Sequence, residues 1–192
     1  MGFIGLVSNT PPDQGGHIFA EEHAAMYQAI YGTGNLIFNY GKNFEVTITG
    51  ANKISIGSGM LSMQGHVGMI RVNDTQEMVT ESGKSGVTRT DLLVMEYEST
   101  GFHALDKFGF KILTGSTDII SGNLENGDQK TQMAIALLTI EGLALSKVNM
   151  LVQPMPSLID VFNALNNKVR FGTEEPSNDF GKPGDIYIKV SK

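Results

Sequence analysis

The chain has 192 residues, of which 41% are hydrophobic and 18% are charged. These fractions exclude an intrinsically disordered chain, which needs low hydrophobicity and high net charge. The net charge of −6 disfavours nucleic acid as a main partner, because nucleic-acid binding depends on neutralising phosphates with cations. The length allows one large domain or one domain with smaller attachments.

Glycine and cysteine usage narrow the fold class. The 23 glycines against 6 prolines indicate many tight turns and favour short strands over long helices. With no cysteine, the chain has no disulfides, thiolate metal sites or cysteine nucleophiles. Apolar stretches such as residues 133–138 are much shorter than a membrane span of about 20 residues, so we expect no membrane insertion. The first residues do not resemble a secretory signal, so we expect synthesis in a reducing cytoplasm.

Residues 1–40 are predicted to be an attachment segment with one short helix. Residues 8–16 contain two prolines and two glycines, which interrupt regular structure. A helix is predicted over residues 21–31, because two acidic residues occupy its first turn and Gly32 follows as a stop. Its buried stripe is predicted to contain Ala24, Tyr27, Ile30 and Tyr31.

Residues 41–156 are predicted to form an antiparallel β domain. Short runs in which apolar and polar residues alternate are separated by glycine-rich turns, and no helical pattern between them would make βαβ crossovers. The predicted fold class is therefore mainly β, an antiparallel β-sandwich or barrel with two short helices. The polar residues 114–132 are predicted to be a long surface loop or hairpin. Strands are predicted at residues 44–48, 54–56, 60–63, 67–72, 92–97, 108–113, 135–140 and 148–152.

Residues 157–192 are predicted to form a helix and a terminal strand that help subunits to associate. Ser157, with Asp160 three residues later, is close to a capping box and predicts a helix over residues 158–169. Apolar residues then recur at spacings of 4, 3 and 4, which is the pattern of a heptad seam. The predicted subunit-interface residues are Leu158, Phe162, Leu165 and Val169.

Two interpretations of this seam remain open. It spans barely two heptads, which is too short for an independent coiled coil, so the helix could pack on the sheet of its own chain. The alternative is contact between identical subunits. The alternating residues 185–190 likewise predict a strand that could join its own sheet or the sheet edge of a neighbour.

No set of residues predicts a catalytic, cofactor or metal site. His17, Glu21, Glu22 and His23 form the densest group of possible ligands, but their spacing differs from the His-Glu-x-x-His zinc pattern, so an exposed helix start is the better interpretation. His66 and His103 have no Asp or Ser at a spacing that supports a triad. Ligand-binding residues therefore stay unknown.

Two glycine-rich segments invite comparison with phosphate-binding loops. Residues 57–59 and 82–86 lack the Walker spacing and precede no predicted helix, so both are interpreted as turns. Residues 118–128 carry acidic and amide side chains, but in an order that departs from the calcium-binding loop.

Five segments carry distinctive turn and strand motifs. They are FAEEHAAMY (19–27), GTG (32–34), IGSGMLSMQG (56–65), ESGKSGVTRTDLLV (81–94) and the closing DFGKPGDIYI (179–188). In the fourth, a polar glycine turn precedes a basic residue and then an aspartate that leads an apolar strand. The first four resemble a module of baseplate and tail structural proteins in phages of low-GC Gram-positive bacteria, and the closing segment resembles one that is frequent near the ends of phage tail proteins. The resemblance covers about residues 17–160 and the tail.

The resemblance implies a non-enzymatic virion protein of the tail tip, commonly a homotrimer, that anchors or forms the device recognising a cell-surface saccharide. Its partners would be other tail or baseplate proteins and a host saccharide, after synthesis in the host cytoplasm. No sugar-contacting residue can be transferred. Two other functions stay open: a stand-alone carbohydrate-binding β-sandwich module, and a cell-wall hydrolase that uses His17, His66 or His103.

Overall fold

The computed structural model describes residues 4–5, 20–100, 105–166, 168–177, 181 and 184–190. The chain divides into two compact units, Met1–Met155 and Pro156–Lys192. Within the described residues, no helix is long and apolar enough to cross a membrane. The helices are α1 (Ala20–Tyr31) and α2 (Leu158–Asn166), and a 3-10 turn spans Leu124–Asn126. The strands are β1 (Ile4–Gly5), β2 (Asn35–Phe38), β3 (Val46–Gly50), β4 (Lys53–Ile56), β5 (Gly59–Met63), β6 (His66–Ile70), β7 (Gln76–Val79), β8 (Thr88–Glu98), β9 (Lys107–Leu113), β10 (Lys130–Glu141), β11 (Ala144–Met150), β12 (Pro154–Met155), β13 (Val169–Gly172) and β14 (Ile186–Lys189).

The first unit contains three sheets. Their strand orders are β1-β6-β5-β2-β12, β11-β10-β8-β9 and β3-β4-β7. Neighbouring strands run antiparallel, apart from the short parallel pair of β12 with β2. The predicted fold class, a mainly β fold of antiparallel sheets with two short helices, is confirmed.

One hydrophobic core draws on all three sheets. Leu61, Ile54 and Leu93 come from different sheets, and each is completely buried in the same cluster. Ile37 of β2 belongs to this cluster as well, although β2 lies inside the predicted attachment segment. β2 therefore belongs to the same sheet as β5 and β6 of the predicted β domain.

The glycines at 57 and 59 let the chain pass from one sheet to another. The backbone N–H groups of Lys42 and Phe44 both donate to the carbonyl of Ser58, at 2.9 and 3.1 Å. A Cβ at Gly59 would lie 2.6 Å from ring carbons of Phe44, so only glycine fits there without a shift. This segment joins β4 to β5, and its glycines serve a close backbone approach.

The second glycine-rich segment is held by an ion pair between the partly exposed Arg89 and a buried carboxylate. The Arg89 guanidinium donates to both carboxylate oxygens of Asp91, at 2.8 and 3.0 Å, and Asp91 is completely buried. Arg89 also donates to the carbonyls of Glu81 and Ser82, at 2.6 and 3.3 Å. The backbone N–H of Gly115 donates to the same carboxylate at 2.8 Å. The basic residue and aspartate of the segment 81–94 therefore fasten two loops to β8.

The second unit shows that the helix prediction was partly wrong. Ser157 and Asp160 form the predicted reciprocal cap, with N–H donations of 3.1 and 3.2 Å in the two directions. However, α2 ends at Asn166, and Val169 is the first residue of β13. Val169 pairs in parallel with Ile186 of β14, so the backbone leaves the helix to form this sheet and the seam loses its fourth member.

Candidate functional site

A cavity of about 250 Å³ lies in the first unit, where α1, β6 and β8 meet the loop that precedes β10. Its lining mixes an imidazole and a phenol with two carboxylates. This combination of titratable groups in a concave site makes it the candidate functional site of the chain. The lining residues are Glu21, His66, Tyr97, Ser99, Leu124, Gly127, Asp128 and Gln129.

A tight hairpin places His66 against α1. Gln64 and Gly65, with φ values of 49° and 87°, form the two-residue turn that joins β5 to β6. Positive φ at both central residues suits the right-handed twist of the strands. A Cβ at Gly65 would collide with the carbonyl of Ala24, so the absence of a side chain allows the turn to lie directly on the helix. The side-chain amide of Gln28 in α1 donates to the Gln64 carbonyl at 2.8 Å.

The side chain of Gln64 fixes the opposite wall of the cavity. Its amide donates to the carbonyl of Gly122 at 2.7 Å, and its oxygen accepts from the N–H of Leu124 at 2.9 Å. Within that loop, Asn123 caps the 3-10 turn, and its own N–H donates to Asp128 at 2.7 Å. Asp128, which lines the cavity, is therefore held in place by this hydrogen bond.

His66 and Tyr97 form a buried ring pair. They are 5% and 3% exposed, and their rings stack with centroids 4.1 Å apart and planes inclined by 26°. The Tyr97 hydroxyl donates to Asp106 at 2.6 Å, and the other carboxylate oxygen of Asp106 accepts from the Thr100 N–H at 3.2 Å. Among the described residues, His66 Nδ1 is buried without a hydrogen-bond partner.

Burial controls the protonation of both rings. It lowers the pKa of His66, although the negative charges of Asp106 and Glu21 act in the opposite direction. Burial also raises the pKa of Tyr97, with a further contribution from the hydrogen bond to Asp106. The imidazole is therefore neutral and the phenol protonated near pH 7.

We expect the protein to lose stability as the pH falls below about 6.5, because of His66. The pKa of His66 in the folded chain lies below its ordinary value of 6.5, which the unfolded chain retains. Between these two values the unfolded chain binds a proton that the folded chain does not, so this stability is complete above pH 6.5 and is lost toward the folded pKa. His66→Phe keeps the ring stack but removes the titrating group. The free energy of unfolding of this variant should therefore change less with pH. Denaturant unfolding at a series of pH values measures this pH dependence of the free energy of unfolding.

His23→Gln is the matched control for this prediction, since His23 lies on α1 and its ring contacts Tyr27 rather than the buried pair. This variant should retain the slope of the unchanged protein. Equal slopes for His66→Phe and the unchanged protein would assign the pH dependence to other groups.

The geometry around His66 does not suit a hydrolytic triad. A catalytic imidazole donates from one nitrogen to an orienting carboxylate and accepts from a nucleophile at the other. Here Nδ1 has no partner among the described residues, and Asp106 binds Tyr97 and Thr100 instead. His17 and His103 lie outside the described residues. Within the described part of the chain, no three His, Asp or Glu residues are grouped so that they could hold a metal ion.

Three of the four predicted interface residues share one face of α2. Leu158, Phe162 and Leu165 are 83%, 58% and 60% exposed, whereas Val169 is half-buried in β13. Further large apolar side chains of the second unit are exposed as well. They are Ile159, Val161, Phe171, Ile186, Ile188 and Val190.

Sequence reasoning missed both the ring pair and the wider apolar surface of the second unit. His66 was considered as a lone imidazole, and the only signal for its partner was the inward register of Tyr97 on a predicted strand. Phe171 follows the predicted helix closely, so its strand was not recognised.

The chain matches no protein-family model, no curated protein and no solved structure.

Proposed function

We propose that this chain is a non-enzymatic structural subunit of a phage tail tip or baseplate, and that it associates into a homotrimer through residues 157–192. The observation that carries the proposal is the exposure of α2. Five of its nine residues are large and apolar, and their exposed fractions run from 43% for Val161 to 83% for Leu158.

A segment of this kind is not stabilised by its own contacts. A nine-residue helix is marginal in water, and so is a sheet of two strands such as β13 and β14. Burying one large apolar side chain contributes about 1.5 to 3 kcal/mol, and contiguous apolar patches of this kind mark interaction sites. The second unit therefore needs a partner that covers these side chains.

The partner that fits best is another copy of the same chain. Leu158, Phe162 and Leu165 follow the 4 and 3 spacing of a helical seam, which self-associating helices bury against one another. Among the described strands, β13 and β14 pair with each other alone, so the sheet could be extended by a strand of another copy. Closed rotational symmetry would cover the same surface on every subunit and leave no open end.

The virion location is supported by the motif resemblance. Two of the segments that carry it, 56–65 and 81–94, also contain the close glycine contacts and the Arg89–Asp91 ion pair that hold loops of the β domain in place. Such a domain, with no cysteine, folds in a reducing cytoplasm and keeps its covalent structure after release. The partners proposed are other tail or baseplate proteins and, for the assembled device, a host surface saccharide.

Sedimentation equilibrium of the full chain tests the association. We expect a mass three times that of one chain, and a monomer for Phe162→Glu, because a charge in the seam would be desolvated on association. Asn163→Glu is the matched control, since it adds the same charge to the same helix outside the seam and should remain trimeric. A monomeric unchanged chain at micromolar concentration would refute the trimer.

Immunogold electron microscopy of virions tests the location. Labels that decorate the tail tip would support the proposal. Labels on the capsid, or none on intact and disrupted particles, would contradict it even if the chain were trimeric.

A further inference from the structure

The 3-10 turn Leu124–Asn126 is held by weak contacts. The backbone N–H groups of Asn126 and Gly127 donate to the carbonyls of Asn123 and Leu124, at 3.1 and 3.2 Å. These distances lie at the long end of the range for N–H···O bonds. The turn has no buried residue. It therefore opens locally at a small cost in free energy, without unfolding of the β domain.

This turn contains the one asparagine of the chain that is directly followed by glycine, at Asn126–Gly127. Both residues are exposed, and a Cβ added at Gly127 would meet no atom within 4 Å. Asparagine is a thermolabile residue, because the backbone nitrogen of the next residue attacks its side-chain amide carbon. A side chain on that next residue hinders the attack, and glycine has none. An exposed amide and an unhindered nucleophile therefore adjoin in a turn of low local stability.

We propose that Asn126 is a site of spontaneous deamidation in the folded protein, with the backbone nitrogen of Gly127 as the nucleophile and opening of the 3-10 turn as the step that sets the rate. The site lies in the first unit, so its modification does not depend on the association proposed for residues 157–192. The reaction needs no enzyme, and its co-reactant is water.

The reaction balances without an oxidant or a reductant. The Gly127 nitrogen gives its proton to hydroxide or buffer and forms a bond to Cγ of Asn126. The bond from Cγ to the side-chain nitrogen breaks, and that nitrogen takes up a proton from solvent and leaves as ammonia. Water then opens the resulting cyclic imide at one of its two carbonyls, which leaves aspartate or isoaspartate at position 126.

The side chain of Asn123 controls how often the turn opens. In the closed turn the Gly127 N–H donates to the Leu124 carbonyl, so this hydrogen bond must break before the nitrogen reaches Cγ. Asn123 caps the turn by accepting from the N–H of Glu125 at 3.0 Å. Because loss of such a cap destabilises a helical turn, a variant without it should deamidate faster.

The product should loosen the loop that Gln64 holds through the N–H of Leu124, at 2.9 Å. Conversion of Asn126 adds a negative charge close in sequence to the exposed carboxylates of Glu125 and Asp128, which repel it. Isoaspartate also lengthens the backbone of the turn by a methylene group. We therefore expect the Leu124 N–H to exchange with solvent faster in the modified chain.

Peptide mass spectrometry of the full chain, aged in mildly alkaline buffer, tests the proposal. We expect the peptide that contains Asn126 to gain the mass difference between a hydroxyl and an amino group. Asn123 is the internal comparison, since it is exposed in the same loop but precedes leucine, and it should keep its amide. The rate should not change with urea below the unfolding transition, because local opening exposes little surface and global unfolding exposes much.

Three variants test the role of the turn, and none of them replaces a buried residue. Asn123→Ala removes the cap and should raise the deamidation rate about fivefold. Asn123→Ser is the matched control, because it keeps a side-chain acceptor at the cap and should change the rate less. Asn126→Gln should abolish the mass gain at this position, because the longer amide forms the cyclic imide less readily.

Four results would contradict the proposal. An amide that persists at Asn126 as long as at Asn123 would overturn it outright. A rate that rises steeply with urea would show that global unfolding exposes the site. Equal rates for Asn123→Ala and Asn123→Ser would remove the turn from the mechanism. Unchanged exchange of the Leu124 N–H in the modified chain, measured by nuclear magnetic resonance, would refute the loosening of the loop.

Discussion

Replacing Arg89 with alanine should reduce the free energy of unfolding by about 3 kcal/mol, because it leaves the carboxylate of Asp91 buried without its counter-ion. Asp91 is completely buried, and among the described residues the Gly115 N–H is the one partner that its side chain would keep. The variant also loses the two donations to the carbonyls of the loop before β8. Denaturant unfolding followed by circular dichroism measures the change.

A double-mutant cycle separates the ion pair from loss of packing. The combined change Arg89→Ala and Asp91→Ala should be less damaging than the sum of the single changes, because it removes the uncompensated charge. Thr90→Ala is the matched control, since Thr90 lies between the two residues on the exposed face of β8. Additive single effects would show that the pair does not act as a unit.

Replacing Phe44 with alanine should reduce the free energy of unfolding by about 3 to 5 kcal/mol, because a large core side chain is lost and a cavity remains. Phe44 is completely buried, packs edge-on against Phe110 with centroids 5.4 Å apart, and covers Gly59. Urea unfolding with an unchanged m-value would assign the loss to the folded state.

The backbone of Phe44 provides an internal comparison for the same experiment. Its φ of 58° is a conformation that alanine tolerates poorly and glycine adopts freely. Phe44→Gly should therefore be less destabilising than Phe44→Ala, which reverses the usual order for the two residues. The usual order, or a loss below about 1 kcal/mol for alanine, would contradict the role given to this ring.

Short strands were the least predictable part of the fold. β2 and β12 have four and two residues, which is too few for an alternation of apolar and polar side chains to be recognised. Pro154 occupies β12 at the edge of a sheet, where its missing N–H is tolerated.

Longer strands were recognised, but their limits were not. Residues 92–95 of β8 are all buried, so the alternation that defines a half-buried strand disappears where both faces are covered. The strand begins at Thr88, four residues before its apolar run, because Arg89 and Asp91 continue the pairing with β10.

The helix end illustrates a conflict between two patterns. The spacing of Leu158, Phe162 and Leu165 extends naturally to Val169, and nothing within the helix forbids that extension. The competing partner, Ile186, lies 17 residues later, and the backbone pairing with it ends the helical pattern. A local period carries no information about a strand supplied by a later part of the chain.

The sequence by itself determined the mainly β class, the antiparallel alternation of the longer strands and the cap that begins α2, because each depends on residues close together in the chain. Only the tertiary structure decided that Arg89 reaches the carbonyls of a preceding loop and that Val169 belongs to a sheet. It also brought His66 and Tyr97 together from different sheets, beside Glu21 and Asp128. Those contacts depend on how sheets and loops stack in space, which the spacing of residues along one strand does not encode.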